Sequence, residues 1–181
     1  LLGLAKRLDV RILQASTSEV YGDPLESPQK ENYWGNVNTI GPRSCYDEGK
    51  RCAETILSDF KKFQNLDVSI IRIFNTYGPN QNNDFVVTRF IEQAITGEDL
   101  TIYGDGQQSR SFLYIDDNVD FTLQILDESL FINDVVNVGS EEVISIKDLA
   151  ELIKKLTESK SNIVHLPPLE DGDMFMRKPD I

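Results

Sequence analysis

Tyr46 and Lys50 stand four apart in the run Tyr46-Asp47-Glu48-Gly49-Lys50. On a helix, side chains at that spacing share a face, one turn apart. An ammonium beside a phenol favours the phenolate, so the pair has the makings of a general base for a substrate hydroxyl. Alone the pair is weak, because a surface tyrosine and a solvated lysine at this spacing are common. A second group sharpens it: Ser16-Thr17-Ser18-Glu19 directly follows Val10–Ala15, a strand candidate. Open α/β sheets bind ligands just past the carboxyl ends of their strands. A hydroxyl there can hold the oxygen that Tyr46 deprotonates, and Glu19 can orient a group or carry a proton. The same serines and threonine also suit ordinary turn chemistry.

The elements that must position these groups follow from periodicity. A polar loop with Gly22, Pro24, Pro28, Gly35, Gly41 and Pro42 leads to a long helix from Arg43 or Ser44 to about Gln64. Ala53, Ile56, Leu57, Phe60 and Phe63 recur at helical spacing and are its expected buried stripe. Val68–Ile73 is a mostly apolar strand, suited to a sheet covered on both faces. A helix over 85–95 follows. Short strands over 100–103 and 111–114 flank a Gly104-Asp105-Gly106 turn. A helix over 116–129, a strand over 135–138, a helix from Ser145 and a short strand over 163–166 complete the pattern. The tail from Pro167 to Asp180 reads as a loop, with the option of a lid. Strands alternating with helices indicate an α/β fold with a mostly parallel sheet.

The 181 residues carry a formal net charge of −12, which excludes a general nucleic-acid binder. Anionic small ligands need only local cations, and Arg72, Arg89, Arg110 and Arg177 are available. No apolar run approaches the roughly 18 residues of a membrane span. Cys45 and Cys52 would lie two helical turns apart, about 11 Å, too far for a disulfide within the helix. His165 has no cysteine or carboxylate cluster around it, so no metal site is expected. A soluble, reducing, cytoplasmic setting is expected. The chain opens on Leu1-Leu2-Gly3-Leu4 without a methionine, like the end of an amphipathic helix. It therefore reads as a piece of a longer protein whose N-terminus could hold a targeting or anchor segment.

Several runs together resemble the extended short-chain dehydrogenase/reductase family, in its nucleotide-sugar epimerase/dehydratase group, and within it the UDP-glucuronate decarboxylases. They are ASTSEVYGDP (15–24), YWGNVN (33–38), GPRSCYDEGKRCAE (41–54), RIFNTYGPN (72–80), IYGDGQQSRSF (102–112), VNVGS (136–140) and RKPDI (177–181). The resemblance spans nearly the whole chain. It implies a Rossmann-type doubly wound parallel sheet, lacking its N-terminal βαβ units here, with a smaller C-terminal substrate-binding domain. Residues 1–76 would be the second half of the NAD-binding domain and 77–115 a substrate-binding segment. Residues 116–140 would return to the Rossmann domain, and 141–181 would form the substrate-binding domain and tail. The glycine-rich phosphate loop of the family would lie upstream of residue 1. Gly104-Asp105-Gly106-Gln107-Gln108-Ser109 looks like such a loop only superficially, because it ends in serine and joins two strands.

The activity so implied is NAD-dependent decarboxylation of UDP-glucuronate to UDP-xylose through a 4-keto intermediate, by a homodimer paired through the Tyr46 helix and its neighbour. Tyr46 would be the base and Thr17 would bind the same oxygen. Lys50 would favour the phenolate and hold the nicotinamide ribose. Glu19 would govern decarboxylation or reprotonation, and Arg177 would meet the substrate carboxylate. Ala15, Ser16, Phe74 and Thr76 would join Tyr46 and Lys50 around NAD. Asn75 and Arg110 would take the diphosphate, Tyr103 the uracil and Gln107 the ribose, with Val87 and Thr88 lining the uridine pocket. Two departures matter. Ser18 stands where 4,6-dehydratases typically carry an aspartic acid, which disfavours dehydration. Asn80–Arg89 lacks the usual Gly-Arg pair and has Arg89 where asparagine is common. The alternatives are a 4,6-dehydratase or 4-epimerase and, in another class, an inactive fragment or nucleotide-sugar binding module without the phosphate loop.

Overall fold

The structure, a computed structural model, describes residues 1–168 and 176–181. Helix α1 (Leu2–Leu8) ends at Asp9, whose φ of 52° puts it in the left-handed region. Val10 is spent on this turn, its N–H donating to the Ala5 carbonyl at 3.1 Å. Strand β1 therefore covers Ile12–Thr17, two residues later than expected, and Ser16 and Thr17 are its last residues. A 3-10 turn over Ser18–Tyr21 follows, and α2 runs over Ser44–Gln64.

Then come β2 (Val68–Ile73), β3 (Asn75–Tyr77), α3 (Val86–Thr96), β4 (Leu100–Tyr103), β5 (Ser109–Tyr114) and α4 (Ile115–Asp127). The chain continues through β6 (Asp134–Val138), β7 (Val143–Ser145), α5 (Ile146–Leu156), β8 (Ile163–Leu166) and β9 (Met176–Arg177).

β1, β2 and β6 form a parallel sheet in the order β1-β2-β6. Thr17 pairs with Ile73, and Ile73 with Val138, so the carboxyl ends of all three strands are level. Below that edge, Ala5, Leu57, Leu66, Val68 and Ile70 pack under α1 and α2. Ile71, Ile125, Val138 and Leu113 close the other face under α4. A separate core joins α3, β4 and α5 through Phe90, Leu100, Ile102, Leu149, Ala150 and Ile153.

Three expectations need correction. The stripe on α2 is narrower than its periodicity suggests: Leu57 is buried, but Ile56 and Phe63 are 44% and 67% exposed. The strands flanking Gly104-Asp105-Gly106 do not pair with each other. β4 pairs with β8, while β5 pairs with β3, β7 and β9. The tail is not simply a solvated loop. Part of it, residues 169–175, lies outside the described residues, but β9 joins β5 and Pro179 bridges to Gln29.

Candidate active site

The level strand ends deliver three short segments to one edge: the 3-10 turn after β1, Phe74-Asn75-Thr76 after β2, and Gly139 after β6. Helix α2 lies across the first of them. Tyr46, in its first turn, is half exposed. Lys50 donates from Nζ to the Ala15 carbonyl at 2.8 Å, and Nζ lies 5.7 Å from the centre of the Tyr46 ring. The lysine is thus pinned to the end of β1 while still beside the phenol. Both residues line an open concavity of about 730 Å³, shared with Gln14, Pro42, Arg43 and Gly49.

Thr17 is buried and caps the 3-10 turn, its Oγ1 accepting from the Glu19 N–H at 3.2 Å. Ser16 is also buried, but its hydroxyl faces away and donates to Glu54 on α2. Glu54 receives a two-pronged bond from Arg72, at 3.1 and 2.7 Å. Arg72 further donates to the Tyr21 hydroxyl at 3.0 Å, and that hydroxyl donates to Asn137 at 2.7 Å. This network ties β1, α2, β2 and β6 together and commits Arg72 to the scaffold.

Glu19 is the charged centre. Arg177 Nη2 donates to its Oε2 at 2.7 Å, and Arg177 Nη1 pairs with Oε1. Arg43 Nη2 meets Oε1 from the other side at 2.8 Å. Burial alone would push the Glu19 carboxyl up, but the hydrogen bond and charge of Arg177, then the charges of Arg43 and Arg110, hold it below the usual carboxylate range. Asp47 shifts the other way: burial, then the negative charge of Glu19, pushes its carboxyl up. The Ser18 hydroxyl is buried and faces Arg177 Nη1 at 3.5 Å.

Arg177 is brought here by a backbone clamp. Gln29 is fully buried; its N–H donates to the Lys178 carbonyl at 2.8 Å, and its Oε1 accepts from the Lys178 N–H at 2.9 Å. Asp180 N–H donates to the Gln29 carbonyl at 2.9 Å. Pro179 also needs Gly139, since a Cβ at 139 would come within 2.8 Å of its Cγ.

A second pocket of about 400 Å³ opens next to this edge, lined by residues that include Asn75, Thr76, Val87, Tyr103, Gln108 and Arg110. Four residues expected for the nucleotide, Asn75, Val87, Tyr103 and Arg110, meet there, together with Thr76, which was expected beside NAD. Two do not. Gln107 is exposed, its backbone N–H donating to Asp105 Oδ1 at 3.0 Å, and Gln108 is the glutamine on the wall. Thr88 points its hydroxyl at Gln81 Oε1, 3.1 Å away. The Phe74 side chain lies in the core against Tyr21, so only its backbone faces the edge. Arg43, Gln81, Gln108 and Phe85 line the pocket without having been singled out for it. The Gly41-Pro42-Arg43 triplet before Tyr46 was the one signal that could have found Arg43. Among the described residues, no group of three or more His, Cys, Asp or Glu is placed to hold a metal.

A tyrosine–lysine helix beside the carboxyl edge of a parallel sheet, with a hydroxyl at the end of the first strand, defines a protein of the short-chain dehydrogenase/reductase type. The chain belongs to the NAD dependent epimerase/dehydratase family, whose model matches residues 1–139. It is 49% identical over 183 residues to UDP-glucuronic acid decarboxylase 1 of Danio rerio, covering all of this chain and 43% of that protein. It is 49% identical over 185 residues to UDP-glucuronic acid decarboxylase 3 of Arabidopsis thaliana, covering 53% of that protein. The chain thus spans about half the length of the curated relatives it matches. Among solved structures, it matches UDP-glucuronic acid 4-epimerase from Bacillus cereus, in complex with UDP-glucuronic acid and NAD. The TM-score is 0.89 and the identity 30%, over 100% of this chain and 56% of that one.

Proposed function

We propose that the protein decarboxylates UDP-glucuronate to UDP-xylose, with NAD as cofactor. The observation that carries this reading is the buried Arg177–Glu19 pair at the sheet edge that also holds Thr17, Tyr46 and Lys50. It supplies a guanidinium for a substrate carboxylate beside a base for a substrate hydroxyl. The open concavity around Tyr46 and Lys50 fits the nicotinamide riboside end of NAD, with Ala15 adjoining it through the carbonyl that Lys50 bonds. Ser16 and Phe74 turn their side chains elsewhere and Thr76 lines the second pocket, so these three reach NAD only through backbone or a rearrangement.

NAD, held beside Tyr46 and Lys50, would supply a reversible hydride acceptor for C4 of the sugar. Tyr46 removes the proton of the 4-hydroxyl, Thr17 holds that oxygen, and Lys50 favours the phenolate. The resulting 4-ketone is β to the C6 carboxylate. The C5–C6 bond can then break, its electron pair passing to the ketone oxygen as CO2 leaves, and the enolate then takes a proton from water at C5. Arg177, buried on Glu19 and lining neither cavity, meets the substrate carboxylate only if it leaves that pair. Glu19, held ionised by Arg177 and Arg43, orients rather than acting as an acid. Ser18 offers no carboxylic acid for expelling water, which disfavours a 4,6-dehydratase. In the second pocket, Asn75 and Arg110 take the diphosphate, and Tyr103 and Val87 the uridine. Thr88 and Gln107 complete it only if a side chain or the turn rearranges.

The division into residues 1–76, 77–115, 116–140 and 141–181 accompanies this reading, as does a homodimer. Exposed Leu4, Leu8, Ile56 and Phe63 on α1 and α2 support pairing through those helices; light scattering showing a monomer would remove that part. A reducing, cytoplasmic setting is proposed because Cys45 and Cys52 are both free and exposed. No helix among the described residues is long and apolar enough to cross a membrane.

Incubation of the intact protein with UDP-glucuronate and NAD, followed by proton NMR, tests the function. A UDP-pentose is expected. The C4 epimer alone would indicate a 4-epimerase, and no turnover together with no bound NAD would indicate a binding module.

A further inference from the structure

We infer that Arg89 is a phosphate-binding, specificity-determining residue of the second pocket, and that the ligand it selects is a nucleoside diphosphate. The inference rests on the nucleotide-sugar reading above and adds a residue to it. Arg89 stands in the first turn of α3 and lines the pocket together with Arg43 and Arg110. Its guanidinium lies 5.3 Å from the centre of the Tyr103 ring and 5.7 Å from that of Phe90.

Those rings hold the guanidinium but satisfy none of its N–H groups. Its Nε is buried and has no hydrogen-bond partner. No carboxylate among the described residues lies within ion-pair distance of it. The acid on the pocket wall, Asp84, is engaged by Asn82 Nδ2 at 2.9 Å. The other two guanidiniums are committed differently: Arg43 to Glu19 at 2.8 Å, and Arg110 to the Ser109 carbonyl at 2.8 Å among its contacts.

The position is also electrostatically awkward without a ligand. Long side chains on a helix lie back over the preceding turn, which carries this cation toward the α3 N-terminus. Cations are disfavoured there by the helix dipole. No acidic residue stands in that first turn, and Phe85 at the N-cap supplies no side-chain bond. Three guanidiniums around one pocket, in a chain of net charge −12, concentrate positive charge where it is otherwise scarce. An anion with several oxygens in the pocket would satisfy the buried donor and offset the unfavourable charge together. A neutral nucleoside could accept a hydrogen bond but would not offset the charge.

The test is calorimetric titration of the protein, and of Arg89→Asn and Arg89→Lys, with UDP and separately with uridine. Loss of a charge-assisted hydrogen bond should weaken UDP about 10- to 100-fold in Arg89→Asn. Uridine affinity should stay within about twofold, which also shows that the variant is folded. Arg89→Lys should fall between, because a lysine keeps the charge and loses the fork. Unchanged UDP binding in Arg89→Asn, or equal losses for UDP and uridine, would overturn the inference; equal losses would mean that Arg89 only props Tyr103. If the unsubstituted protein binds neither, the nucleotide-sugar reading itself falls. If it binds both and the variants match it, only the Arg89 inference falls.

Discussion

Arg177 donates to the carboxylate of Glu19 at 2.7 Å across a sequence separation of 158 residues, and both side chains are almost wholly removed from water. A pair of this kind is costly to break from one side, because the remaining charge stays buried. Arg177→Ala should therefore destabilise the protein by about 3 kcal/mol, near the low end for buried pairs because Arg43 still holds Glu19. Urea unfolding checks this. The double variant Arg177→Met/Glu19→Gln should recover part of the loss.

The same pair sets an acid limit. Glu19 titrates lower in the folded protein than in the unfolded chain. Its stabilising contribution is thus complete above the unfolded value of about 4.3 and is lost as pH falls through the lowered folded value. Urea midpoints measured downward from pH 6 should fall more steeply for the unsubstituted protein than for Glu19→Gln. Parallel curves would count against an ionised, paired Glu19.

Tyr46 is half exposed, so its role separates cleanly from folding. Tyr46→Phe should change stability by no more than about 0.5 kcal/mol. It should lower kcat by about 100- to 10,000-fold if the hydroxyl is the general base. Lys50→Met should act in the same direction and also release the Ala15 carbonyl. Thermal melts beside initial rates distinguish lost chemistry from lost structure.

Gly139→Ala probes the clamp on the tail without touching a charged group. The added methyl would meet Pro179 Cγ at 2.8 Å and Phe74 Cβ at 3.1 Å. Overpacking of this kind costs about 1–3 kcal/mol. The displaced segment carries Arg177, so CO2 release should fall more than NADH formation does, as single-turnover absorbance and gas release would show.

Part of the candidate site was legible in the sequence, for identifiable reasons. Tyr46 and Lys50 are local on one helix, and Thr17 and Glu19 adjoin a strand end, so spacing alone could group each set. The contacts of Arg43 and Gln29 were not legible. Arg43 reaches Glu19 from the start of α2, and Gln29 bonds the backbone of a tail distant in sequence. Neither contact leaves a periodic trace. Gln107 and Gln108 differ only in which one an aspartate-capped turn directs inward, a choice made by backbone geometry. Ile56 and Phe63 obey the helical period yet stay exposed in this chain, because periodicity names a face and not what covers it.

The most direct measurement follows UDP-glucuronate labelled at its carboxyl carbon, incubated with the intact protein and, in parallel, with Arg177→Ala. The expected result is labelled CO2 in step with a UDP-pentose from the unsubstituted protein, and strongly reduced label release from the variant. Label retained at C6 of the sugar nucleotide by the unsubstituted protein, while NAD is bound, would contradict it.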